Sequence, residues 1–347
     1  MRCTPTLLTT LIIAIALLAP LVVNAQSATD EITCPTPNYR TDERPDRSGT
    51  PTEVLFGTRI ADLLEINDVD QTITIDVAIR LRWKDSRLAG LEGCKLSIRD
   101  IWFPALMMKN SGRMFSRWPE TASVGKDGNI TYLQRISGTF SSYHDLTNFP
   151  FDGQDITLRI FPLEWRASKV VFRIDDQFSG MEPLLNISDW EITGVDTKLV
   201  EERFEVFDQV RSGYLLTISA ERHVGHYFWK IMFPISMITF MSWSVFWLNP
   251  AQFGTQLGLS ATSVLTLVAF IFATTNMLPR LGYVTILDSY ILAATLFVFV
   301  AFLQSLLTGA LASIGQIAFA LRIDLISRFV FPLAFIAFCI KFYADTQ

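Results

Sequence analysis

Residues 257–277, LGLSATSVLTLVAFIFATTNM, hold 21 consecutive positions without an ionisable side chain. As a helix they extend about 30 Å, the depth of one bilayer hydrocarbon core. A span that faces lipid on every side is apolar all round, yet this one carries Ser260, Thr262, Ser263, Thr266, Thr274, Thr275 and Asn276. At helical steps of four and three, one line runs Gly258, Thr262, Leu265, Ala269, Phe272 and Asn276. That line is small and polar at one end, apolar at Leu265 and Phe272, and polar again at the other. Two readings are open. Hydroxyls facing water with an apolar constriction between them suit a pore lining that closes by dewetting. A helix buried among others would instead use Ser and Thr as interhelical hydrogen bonders.

The hydrophobicity of the chain is unevenly placed. Its mean hydropathy of +0.32 is too high for an ordinary soluble protein. Residues 1–25 carry Arg2, an apolar run through Leu21 and a small-residue end before Gln26, the pattern of a secretory signal peptide rather than an anchor. Residues 26–51 are polar and proline-bearing and read as a flexible arm. Residues 52–226 read as strands. In TITIDVAIRLRW at 72–83, Ile73, Ile75, Val77, Ile79, Leu81 and Trp83 point one way, and Thr74, Asp76, Ala78, Arg80 and Arg82 the other. Weaker alternation recurs at 156–160, 169–174 and 214–219, with turn clusters at 125–129 and 211–213. The expected fold of this part is an immunoglobulin-like antiparallel β-sandwich. From residue 227 onward come four apolar segments, 227–248, 257–277, 285–307 and 327–343, so the whole chain reads as a β-plus-α membrane protein. A secreted sandwich followed by four spans leaves both ends of the mature chain outside.

Charge and motif content narrow the function. Residues 26–226 hold 31 acidic against 23 basic side chains, a balance that repels nucleic acid and concentrates cations. No phosphate-cradling glycine loop, HExxH pair or Gly-x-Ser-x-Gly elbow is present, so no enzyme is expected. The three histidines, His144, His223 and His226, lack metal-ligand spacing, and neither a metal nor a cofactor is expected. Cys34 and Cys94 are the cysteines of the outer part. An oxidising compartment permits them to pair, and their spacing does not require it.

The loop DLTNFPFDGQ at 145–154 is the most specific stretch. With WKD at 83–85, IWFP at 101–104, Arg222 before the first span and Pro279 after the second, the chain resembles the pentameric ligand-gated ion channels, the Cys-loop receptor family, over nearly all of residues 52–343. Through SWSVFWL at 242–248 and NMLPRL at 276–281, its membrane part is similar to the Erwinia amine-gated prokaryotic type. The cysteines that close the family's loop fall on Ser142 and Ile156, the prokaryotic pattern, and some 20 residues join the last two spans. The resemblance implies a homopentamer around a central pore, lined by the second helix, in a bacterial inner membrane with the sandwich and the C-terminus in the periplasm. It makes lipid, permeant ions and an agonist the partners.

A rigid sandwich must pass a twist to helices, so charged and kinked residues should gather where the two meet. The candidates are Glu65, Asp68 and Asp70 in an acidic hairpin, Phe149, Pro150, Phe151 and Asp152 in the loop, and Arg222 and Pro279. The resemblance implies that Arg222 pairs with Asp152 and with one acid of the hairpin. It also implies an agonist site between subunits, behind the loop before the last strand, where aromatic rings box an ammonium. Here two of the family's aromatic positions fall on Leu163 and Lys109. Trp165, Phe204, Phe207 and Tyr214 could substitute, with Glu164 as an anionic partner. An amine-like agonist and protons are both open, as is a non-conducting membrane-anchored sensor. The inner mouth, Gly254-Thr255-Gln256, is neutral, and the acidic outer domain favours monovalent cations.

Overall fold

β2 (Thr72–Lys84) folds as its alternation dictates: Ile73, Ile75, Val77, Ile79, Leu81 and Trp83 are all buried on one face. Burying each such side chain contributes about 1.5–3 kcal/mol. The other face is covered in part, since Asp76 is itself buried against Arg135, which donates to it at 2.9 and 3.0 Å. In this computed structural model residues 34–46, 49–183, 185, 187–275, 278 and 280–345 are described, apart from the side chains of Tyr343 and Asp345. The expected signal peptide, the first residues of the arm, Asn276 and Pro279 lie outside the described residues.

The strands in chain order are β1 (Thr52–Asn67), β2, β3 (Lys95–Ser97), β4 (Leu106–Met108), β5 (Ser111–Ser116), β6 (Thr121–Val124), β7 (Asn129–Ser141), β8 (Gly153–Pro162), β9 (Val170–Ile174), β10 (Gly180–Met181), β11 (Trp190–Phe204) and β12 (Gln209–Arg222). One sheet runs β10-β1-β2-β7-β6-β3, with β5 also on β7 and β9 also on β1; the other runs β11-β12-β8-β4. The pairing is antiparallel except that β1 runs parallel to β9 and β10. Phe56, stacked on Phe172 at 5.1 Å and tilted onto Tyr214 at 4.8 Å, joins the two sheets across the core.

The turn expected at 125–129 is present as a 3-10 turn, Lys126–Gly128. The one expected at 211–213 is not. Those residues lie inside β12, and the chain reverses at Glu205–Phe207 instead. Gly213 read as punctuation but serves a close approach: a Cβ there would fall 2.2 Å from the Phe161 ring. Cys34 and Cys94 are each disulfide-bonded, and Cys339 is a free thiol.

Beyond Arg222 the chain turns helical. A turn at Gly225–Tyr227 runs into a π segment, Phe228–Met232, then α1 (Phe233–Trp243) and a 3-10 end, Ser244–Trp247. Pro234 in the first turn of α1 has no amide to donate back, which breaks the regular ladder there. Next come α2 (Phe253–Thr274), α3 (Ile286–Ser313) and α4 (Ile317–Asp345). Among the described residues α2, α3 and Ile317–Phe342 are long and apolar enough to cross a membrane.

Three helix boundaries depart from the sequence expectation, and one of them is the end of α3, which runs on to Ser313 past the expected 307. α2 starts at Phe253, four residues early, because the Phe253 ring fills the notch at Gly309 of α3, where a Cβ would sit 2.0 Å from it. α4 begins at Ile317 rather than 327, and its added turns carry Asp324 into the bundle. Asp324 is buried and accepts from Gln304 at 3.3 Å, and Arg328 Nε donates to the Phe246 carbonyl at 3.0 Å. A single left-handed residue, Gly315 (φ 83°), accompanies the turn between α3 and α4.

Helices in lipid gain little hydrophobic energy from one another, so packing and hydrogen bonds must hold them. Trp243 of α1 meets Phe335 of α4 at 5.7 Å and Phe297 of α3 at 6.3 Å. Tyr290 Oη of α3 bonds the Met232 carbonyl at 3.0 Å and Ser236 at 2.6 Å. Ser260 of α2 and Ser305 of α3 share a bond of 2.8 Å.

Candidate functional site

β12 ends on Arg222, and the strands around it deliver the partners. Its Nε donates to Asp152 Oδ1 at 2.7 Å and its Nη2 to Asp152 Oδ2 at 3.0 Å. Its Nη1 and Nη2 donate to Asp68 at 2.6 and 3.0 Å. The guanidinium also lies 4.0 Å from the Trp190 ring centroid and 4.8 Å from that of Phe149. Trp190 is there because β11 registers it directly opposite Arg222. Asp152 is held in turn by Gln154, whose Nε2 donates at 2.7 Å. His144 Nδ1 lies 3.3 Å from Asp68, outside hydrogen-bond angles. Burial alone would raise the Asp68 carboxyl, but His144 and Arg222 outweigh it and hold the group below its ordinary range. Burial likewise works against the Arg222 guanidinium, and the two carboxylates more than offset it and raise its pKa.

Of the acids expected in the hairpin, Asp68 alone reaches Arg222. Asn67 accepts from the Asp70 amide at 2.9 Å and orients the turn so that Glu65 and Asp70 stay exposed. The loop carrying Asp152 also rests on the helices. The Ile286 amide donates to the Thr147 carbonyl at 3.2 Å, the Leu287 amide to the Phe149 carbonyl at 3.1 Å, and Tyr283 Oη accepts from the Leu146 amide at 3.0 Å. Phe149 is buried edge-on to Tyr227 at 4.8 Å, followed by a cis peptide to Pro150, and Phe151 packs on Phe342 of α4 at 6.1 Å. The docked loop thus joins sandwich to bundle, and the charged centre stands at the end of β12 where the helices begin. Trp190, Gln154, His144 and Tyr227 belong to this centre and were not foreseen from sequence. Trp190 opens β11 and comes to Arg222 only through the register of β11 on β12.

α2 divides its polar residues between two faces. Ser260, Ser263, Leu267 and Thr274 are buried in the bundle. Gly258, Thr262, Leu265, Ala269 and Phe272 are exposed along the opposite face, Leu265 by 69% and Phe272 by 74%. Ser260 bonds between helices, while Thr262 turns its hydroxyl to the Gly258 carbonyl at 2.7 Å on the open face.

The candidate ligand residues are scattered. Tyr214 is fully buried and bonded to Thr58 and Ser179, each at 3.1 Å, so it belongs to the core. Trp165 packs on Trp102 at 6.1 Å, near Asp42 and Lys169 in a separate groove. Leu163 and Glu164 are exposed. Phe204, Phe207 and Lys109 do gather at the β11–β12 hairpin. There Phe204 meets Phe161 edge-on at 4.9 Å, and Lys109 pairs with Glu202.

A two-sheet sandwich latched through a buried arginine to a helical bundle, one of whose helices shows an unpartnered, uncharged face, has the build of a receptor joined to a channel. The comparisons agree. Residues 29–223 match the family described as neurotransmitter-gated ion-channel ligand binding domain, and residues 231–308 match the neurotransmitter-gated ion-channel transmembrane region. The chain belongs to the neurotransmitter-gated ion-channel family. It is 28% identical over 276 residues to the gamma-aminobutyric acid receptor subunit beta-4 of Gallus gallus, covering 75% of this chain and 56% of that one. It is 25% identical over 292 residues to the proton-gated ion channel of Gloeobacter violaceus, covering 82% and 81%. It is also 26% identical over 288 residues to a gamma-aminobutyric acid receptor subunit beta-like protein of Drosophila melanogaster, covering 75% and 57%. The chain thus spans little more than half the length of these animal relatives and most of the bacterial one.

Proposed function

We propose that the protein is the subunit of a homopentameric ligand-gated ion channel, with five copies of α2 ringing a pore and the sandwich acting as the sensor. The observation that carries this reading is the exposed row Gly258, Thr262, Leu265, Ala269 and Phe272 on a helix whose opposite face is packed. Asn276 would extend the row outward. Leu265 and Phe272 form the resting barrier, because a narrow ring of apolar side chains excludes water and, with it, ions. The latch of Arg222, Asp68 and Asp152, with the docked loop and Pro279, carries movement of the sandwich to the helices.

The activator is a small molecule or the proton bound by the outer domain. The proton is supported by the likeness to the Gloeobacter protein over most of its length. An amine is supported by the resemblance to the Erwinia type. The acidic outer domain supports selectivity for monovalent cations, and the absence of the family's loop cysteines supports a bacterial inner-membrane channel with its sandwich in the periplasm, surrounded by lipid. The test is current from purified protein in planar bilayers across a panel of amines and pH values, with reversal potentials in salt gradients. Gated current with a cation-selective reversal potential is expected; a chain that assembles and never conducts would leave the sensor reading in its place.

A further inference from the structure

The β11–β12 hairpin closes over a side chain that the latch and the pore do not use. Arg211 lies on the outer face of β12 and is only 2% exposed. Its guanidinium sits 4.4 Å from the ring centroid of Phe207 and 5.0 Å from that of Phe204, both within the range of cation–π attraction. Lys109 adds a second cation 5.5 Å from the Phe204 centroid. The one polar contact of the Arg211 side chain is from Nη1 to the Pro162 carbonyl at 3.2 Å, and its Nε has no acceptor. No carboxylate pairs with it among the described residues. The acid opposite it in register, Glu202, is taken by Lys109 and by Arg159, the latter at 3.8 Å. Burial, with nothing to oppose it, lowers the guanidinium below its ordinary value.

A buried cation without a counter-ion is costly, and the ring faces of Phe204 and Phe207 are what the fold supplies in place of one. An ammonium ligand entering here would need the same faces. We propose that Arg211 is the resident cation of the Phe204–Phe207 cage and sets the ligand class of the hairpin by excluding amines. The inference rests on the outer domain being a ligand sensor, and it concerns which ligands that sensor refuses. It turns the aromatic residues at this hairpin from an open amine box into an occupied one. Activation then falls to the proton or to a ligand that does not need the cage.

The test is binding of tetramethylammonium to the full-length protein in detergent or nanodiscs, read by calorimetry so that conduction is not required. The wild type should show no saturable heat at millimolar ligand. Arg211→Gln should bind at least about tenfold more tightly than the wild type, and Phe207→Leu added to it should remove the gain. Arg211→Met, which keeps an apolar stem under the rings, should show the same gain if the glutamine variant folds poorly. Three results would overturn the proposal: wild-type binding as tight as that of the variants, folded variants without a gain, or collapse of both variants, which would make Arg211 a strut. Failure of the channel reading is separable, since it would appear as absent ion flux with these binding results intact.

Discussion

The two ends of β12 carry buried arginines in opposite surroundings. Arg222, beside the helices, is clamped by Asp68 and Asp152 with four bonds of 2.6–3.0 Å. Arg211, beneath the hairpin, has two aromatic faces and one carbonyl. The same side chain is thus a charged strut at one end and an uncompensated guest at the other. Burial works against the charge at both positions, and what opposes it differs: two carboxylates at Arg222, none among the described residues at Arg211. A strut that loses its charge strands two carboxylates, whereas a guest that leaves uncovers two rings.

That contrast is open to attack in order of expected effect. Arg222→Ala should assemble and fail to open, with loss of about 3–5 kcal/mol at the junction, the usual cost of breaking a buried pair from one side. Normal currents from this variant would remove the latch. Arg211→Gln should cost only about 1–2 kcal/mol, the size of a desolvated cation–π contact, as read by chemical denaturation. A loss as large as that of Arg222→Ala would erase the distinction. The pH response sharpens it further. The Asp68 carboxyl is held low in the folded state, so its stabilisation is complete above the unfolded value of about 3.9 and fades as pH falls through the lower folded value. The latch should therefore survive mild acidification, and melting temperature should fall with acid less steeply in Asp68→Asn than in the wild type. The smallest effect belongs to Glu65→Gln, within about 0.5 kcal/mol, since Glu65 is exposed and outside the clamp.

Some of this was legible in the sequence. The strict alternation of β2 and the uncharged run of α2 each announced a face, because burial on one side leaves a period in the residues themselves. Arg222 and Asp152 were reached through the family resemblance. Which hairpin acid joins them was not, since a turn has no period and the choice of Asp68 depends on the Asn67–Asp70 bond. Trp190 was hidden because β11 alternates weakly and carries a bulge between Ile192 and Gly194. Arg211 was lost for a related reason: beside Ser212 and Gly213 it looked like a turn, while the ring that explains Gly213, Phe161, comes from a different strand. The early start of α4 has the same origin, as Asp324 resembles a loop residue until Gln304 is beside it.

In the assembled protein the open face of α2 should be wetted and its opposite face dry. Single cysteines at Thr262, Leu265 and Ser263, introduced with Cys339→Ser, would be exposed to a charged thiol reagent while current is recorded. Modification at 262 and 265 should change the current within seconds of opening, and position 263, buried against the bundle, should be silent. Equal reaction at all three positions, or reaction at 263 alone, would contradict a pore along that face.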